Sequence, residues 1–153
     1  GRSGAITAAL KVVAVVGPDP GQINNAQFVS QTIPTTMTAD QQYPVTVTMR
    51  NVGNTTWTPA TDYRHGTQNP QDNTTWLGTN RVFMAAGSSC APNTNHTFSF
   101  TVRAPVTAGN YNMQFKMVRE GVEWFGSLTT NVVVAVAAPQ TGPLIPVTVQ
   151  IRL

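Results

Sequence analysis

Apolar and polar residues alternate with a period of two in three separate stretches, and proline or glycine breaks the chain at short intervals. Tyr43, Val45, Val47 and Met49 point one way, while Thr46, Thr48 and Arg50 point the other. Phe98, Phe100 and Val102 alternate with Ser99, Thr101 and Arg103. Tyr111, Met113, Phe115 and Met117 alternate with Asn112, Gln114 and Lys116. Such a period puts one face on a core and the other in water, which predicts antiparallel strands. No window keeps an i, i+3, i+4, i+7 pattern for three turns, so helices are not expected. Eleven prolines and twelve glycines act as the punctuation.

Shorter strands are expected at 26–31, 81–84 and 129–136, the last Val-rich and covered on both faces. Turns are expected at 39–41, 52–54, 66–73, 86–95 and 105–110. About seven strands at roughly ten-residue spacing, without helices, describe an all-β, immunoglobulin-like antiparallel sandwich. Tyr111 follows Pro105-Val106-Thr107-Ala108-Gly109-Asn110 and opens a strong strand. Two readings fit it: a tyrosine corner, whose phenol bonds back to upstream backbone, or an ordinary core tyrosine.

With 153 residues, one domain with one core is expected. Charged residues make up only 10% of the chain, against about 25% in an average soluble domain. Thr, Asn, Gln and Ser supply the polarity, a composition that suits an extracellular or cell-surface β protein. The apolar content of 41% is patterned, so the chain is not of the disordered class. Nine basic residues against six acidic leave a net charge of +3, with no basic run, which speaks against nucleic acid as a partner. No stretch reaches the roughly 18 apolar residues of a membrane span. The first residue is not Met, as expected for a processed product or a piece of a longer chain, with any signal peptide already removed.

Residues able to do chemistry are sparse. Cys90 is the single cysteine, and neither His65 nor His96 stands in a nucleophile motif beside it. The two histidines have no partner at metal-ligand spacing. Glu120 and Glu123 flank a turn, where solvation or a backbone bond suits them better than acid–base work. No catalytic, cofactor or metal residue is assigned, and no enzyme is expected. Asn54, Asn73 and Asn95 each begin a sequence with the form of a glycosylation acceptor, from which only surface loops are inferred.

All three tryptophans sit in short motifs at turns or strand edges: Arg50 to Trp57, Asn73 to Trp76, and Glu120 to Gly126. From about Ala26 to Val136 the chain resembles the four-tryptophan Ig-like domain first described in selective-autophagy cargo receptors and common in bacterial surface and secreted proteins. The residues that carry the resemblance are Phe28-Val29-Ser30-Gln31, Pro34-Thr35-Thr36-Met37, Val47 to Gly53, Thr56-Trp57, Gln68-Asn69-Pro70, Trp76, Arg81-Val82 and Met117 to Gly126. The stretches 34–51 and 120–126 look like the bacterial extracellular branch. The usual fourth tryptophan is replaced by Phe115, on a core-facing position. The resemblance implies a binding or structural module without a catalytic centre. It also implies that Trp57, Trp76 and Trp124 serve as framework, against the alternative of an exposed aromatic platform for sugars.

The expected organisation is an N-terminal strand and Pro/Gly linker at 1–22, the Ig-like domain at 23–138, and a C-terminal linker and strand at 139–153. The first flank carries Ile6, Leu10, Val12, Val13 and Val15. In the last, Ile145, Val147, Val149 and Ile151 alternate with Pro146, Thr148, Gln150 and Arg152. Two placements fit these strands: completion of their own sandwich, or addition to the exposed edge of a neighbour. The second would make the chain a filament or surface-array subunit with other copies of itself as partners. The alternative function is a carbohydrate- or protein-binding accessory module of a larger secreted or surface protein.

Overall fold

The computed structural model describes Gly4, residues 21–140 and residues 149–153. Nine strands are described: β1 Ala26–Thr32, β2 Thr36–Thr38, β3 Gln42–Asn51, β4 Tyr63–Gln68, β5 Arg81–Phe83, β6 Asn95–Arg103, β7 Gly109–Arg119, β8 Glu123–Phe125 and β9 Val132–Ala137. A 3-10 turn, Pro59–Thr61, is the one helical element among the described residues. One sheet has the order β1-β3-β6, and the other β2-β9-β7-β4-β5 with β8 also on β7. The pairing is antiparallel except for β2 on β9. This is the expected Ig-like sandwich.

The three alternating stretches became β3, β6 and β7, the longest strands. Val45, Val47, Met49, Phe98, Val102, Met113, Phe115 and Met117 are buried between the sheets. The Tyr111 hydroxyl donates to the Thr107 carbonyl at 2.7 Å, which decides for the tyrosine corner.

Three expectations need correction. The stretch 66–73 is not all turn, because β4 runs through Gln68. Its buried face is Tyr63, His65 and Thr67, so polar residues hide the alternation. The strand expected at 129–136 starts only at Val132. Thr129 interrupts it: its N–H donates to the Phe115 carbonyl and its Oγ1 accepts from the Phe115 N–H, both at 2.9 Å. Nor is β9 covered on both faces, since Val134 and Val136 are buried while Val133 is 56% exposed.

The break between β8 and β9 ties the two sheets together. Ser127 N–H donates to the Ala26 carbonyl, and Phe28 N–H donates to Ser127 Oγ at 2.8 Å. Gly126 permits this approach: its φ is +79°, and a Cβ there would lie 2.6 Å from that of Ala26.

Candidate interaction surfaces

The tryptophans divide by environment. Trp57 and Trp76 are buried at 0% and 2% exposure, so neither can join a surface platform for sugars. Trp57 packs on Tyr63 and Phe125 and exchanges backbone bonds with Cys90 at 2.9 and 3.0 Å. Trp76 Nε1 donates to the Asn112 carbonyl at 2.8 Å, and its ring meets Tyr111 edge-on. Phe115 is fully buried, on the core-facing position expected of it.

Trp124 differs. On β8 it is half-exposed and lies across the outer face of the larger sheet. The Arg81 guanidinium sits 4.8 Å from its ring centroid. Arg81 also pairs with Glu120, and with Asp72 at 2.5 Å. Burial works against the Arg81 charge, but these carboxylates outweigh it and hold its pKa above the ordinary value. Arg64 stands 3.6 Å from Glu120 and 4.6 Å from the centre of the Phe83 ring. Phe83 is 61% exposed. The result is an ordered layer of arginine, carboxylate and aromatic rings on a face that alternation alone would leave to solvent. Glu120 is thereby an ion-pair partner. Glu123 accepts from Asn24 Nδ2 at 3.0 Å.

A second polar region is a depression of about 270 Å³ lined by Gln22, Asn54, Thr55, Thr56, Tyr63 and Arg119. Asn24 Oδ1 accepts from both the Tyr63 and the Thr55 hydroxyls, at 2.6 and 2.7 Å, which ties two of the lining residues together. Arg119 stacks over Tyr63 at 5.2 Å.

His65, Cys90 and His96 do not converge on a site. His65 is fully buried between the rings of Phe98 and Phe115, at 4.7 and 5.1 Å, and neither ring nitrogen has a hydrogen-bond partner. Burial first, then the neighbouring His96, pushes its pKa down to about 3. Cys90 is buried, its Sγ 3.4 Å from Thr94 Oγ1. Among the described residues no three of His, Cys, Asp and Glu group as a metal site, and no helix is long and apolar enough to cross a membrane.

The strand edges are unequal. The β1 edge is covered by the Ser127 contacts and by Gln31 Nε2, which donates to the Thr130 carbonyl at 2.9 Å. β2 and β5 have three residues each, and Thr38 N–H of β2 is taken by the Tyr43 hydroxyl at 2.7 Å. β6 is nine residues long. Sequence reasoning did not single out this edge, since which strands lie outermost is a property of topology. Of the residues assigned to terminal strands, Ile6, Leu10, Val12, Val13, Val15, Ile145 and Val147 lie outside the described residues. Val149 and Ile151 are described, belong to no strand, and are 76% and 81% exposed.

Residues 32–136 match the family model described as the Ig-like domain from next to BRCA1 gene. The chain belongs to that family of Ig-like domains. No curated protein matches it. Among solved structures it is similar to the CARDB domain of PF1109 from Pyrococcus furiosus, with 12% identity over 76% of this chain and 94% of that one, at a TM-score of 0.45. It is also similar to a part of E. coli alpha-2-macroglobulin, with 13% identity over 74% of this chain but only 7% of that one, again at a TM-score of 0.45.

Proposed function

We propose that this chain is a non-catalytic structural module of an extracellular or cell-surface assembly, joined to further copies of itself through its terminal strands. The observation that carries the reading is the C-terminal tail. Its sequence alternates like a half-buried strand, yet Val149, Ile151 and Leu153 are exposed in the single chain and pair with nothing in a sheet. A strand of that pattern gains its burial only by joining an edge. The spelling of the 34–51 and 120–126 motifs, which resembles the bacterial extracellular branch of the family, and the low charge support the setting. A head-to-tail contact of this kind is open, so it propagates into a filament or array.

The test is negative-stain imaging of the full chain beside variants lacking residues 1–16 or 141–153. Filaments that vanish on either truncation support the reading. Compact single particles from the full chain at high concentration would end it.

The second reading, a ligand-binding accessory module, is favoured by the outer face of the larger sheet. Phe83 is exposed there beside Arg64, and Trp124 beside Arg81. An aromatic and arginine-rich patch suits a protein surface better than a sugar, because Arg81 already occupies a face of the Trp124 ring.

A further inference from the structure

β6 is an edge strand whose outward backbone groups can be assigned one by one. Ala104 N–H donates to the Gln41 carbonyl at 2.9 Å, and Asn51 N–H donates to the Thr94 carbonyl at 2.9 Å. In the β3–β6 register these fix the even-numbered residues of β6 as the ones bonded to β3. The backbones of Thr97, Ser99, Thr101 and Arg103 therefore point away from the sheet. Arg103 N–H is satisfied by the Trp76 carbonyl at 2.9 Å. Thr97, Ser99 and Thr101 have no backbone partner among the described residues.

β5 approaches β6 and the Trp76 carbonyl covers the Arg103 end, but between Thr97 and Thr101 no side chain of the strand itself blunts the edge. Natural edges are protected by lysine, proline, bulges, short length or a covering loop. From Asn95 to Val102 there is no Lys, Pro, Asp or Glu, and the register with β3 runs without a shift. The core behind the edge is also incomplete. Phe98 and Val102 are buried, but His96 and Phe100 on the same face are only half-buried.

We propose that the free edge of β6, from Thr97 to Thr101, is the acceptor site for the C-terminal strand of a second copy. This assignment rests on the strand-donation reading above and names its acceptor. The pattern of the tail selects it as donor. A strand added beside β6 would have one face on His96 and Phe100 and the other in water, so it must alternate. Ile145, Val147, Val149 and Ile151 against Pro146, Thr148, Gln150 and Arg152 do so. The N-terminal run 5–16 is apolar at both parities and suits a strand covered on both faces. Backbone bonds would supply affinity, and the aliphatic side chains would close the core over Phe100.

The test uses the full chain and Ser99→Pro. Proline at 99 deletes an N–H that points outward and leaves every bond to β3 in place, so the melting temperature should stay within a few degrees of the parent. The expected result is loss of the fast-sedimenting species at concentrations where the parent assembles. A second measurement does not depend on that variant folding. In a Cys90→Ser background, chains carrying Ser99→Cys are mixed with chains carrying Gln150→Cys and oxidised. A disulfide-linked pair of unlike chains supports the assignment. Parental assembly that persists in Ser99→Pro, without that cross-link, places the acceptor elsewhere and leaves strand donation standing. A single chain bearing both cysteines that closes on itself as a monomer overturns the assignment, because the tail then completes its own sandwich. A parent that stays monomeric at every concentration overturns both readings.

Discussion

A Cβ on Gly66 would stand 2.5 Å from Cζ3 of Trp124, so the tryptophan occupies the space that a side chain at 66 would fill. Gly66 is on β4 and Trp124 on β8, and both pair with β7 between them. The missing side chain lets the indole lie flat over the sheet and bring Arg81 with it. Gly66→Ala should displace the ring and destabilise the fold by about 1–3 kcal/mol, the usual cost of overpacking. The check is thermal unfolding together with tryptophan emission, which should shift to longer wavelength as Trp124 becomes more exposed. An unchanged melt and spectrum would mean that the outer layer is not organised by this contact.

His65 makes stability depend on acid. Its pKa is lowered to about 3 in the folded chain and returns to 6.5 on unfolding. Between these values the unfolded state binds the extra proton, so stability is full above 6.5 and falls as pH drops through that window. The slope from this one group is about 1.4 kcal/mol per pH unit. His96, also lowered by burial, adds in the same sense. Urea unfolding at pH 7, 5.5 and 4.5 should show the loss, and His65→Phe, which keeps a ring between Phe98 and Phe115, should remove most of it. Equal acid sensitivity in the two proteins would assign the effect to carboxylates instead.

Tyr111→Phe deletes the bond to the Thr107 carbonyl but keeps the ring against Trp76. The expected cost is about 1 kcal/mol, that of one hydrogen bond. Equilibrium denaturation in urea measures it, with an unchanged slope expected. A neutral result would reduce Tyr111 to a packing residue.

The long strands were legible in the sequence because each carries its own burial pattern. Val45, Val47 and Met49 are enough to orient β3. β4 was not legible, because its buried face is made by Tyr63, His65 and Thr67. Polar residues can be buried there only because strands placed elsewhere surround them. β2 and β8, at three residues each, are too short to show a period. The motifs alone did not separate Trp57 and Trp76, which are buried, from Trp124, which is half-exposed. The Arg64, Arg81 and Glu120 layer does not follow from them either, because it joins β4, β5 and the end of β7. The open edge of β6 was hidden for the same reason: edges belong to the order of strands, and that order is not local.

Cys90 offers a probe of local opening. Its side chain is 1% exposed, next to Thr94, and its backbone is bridged to Trp57. A thiol reacts as thiolate and only when a reagent can reach it. Labelling by a thiol-reactive dye at pH 8 should therefore be at least a hundredfold slower in the native chain than in 6 M guanidinium, taking about 3 kcal/mol of local opening as a modest value. Asn51→Ala should speed native labelling. The Asn51 amide holds the Cys90 and Thr55 carbonyls at 3.0 and 2.6 Å, and its loss leaves both buried acceptors without that donor. Rapid labelling of the parent would show that the loop bearing Cys90 opens without global unfolding, and that the Trp57 bridge does not hold it.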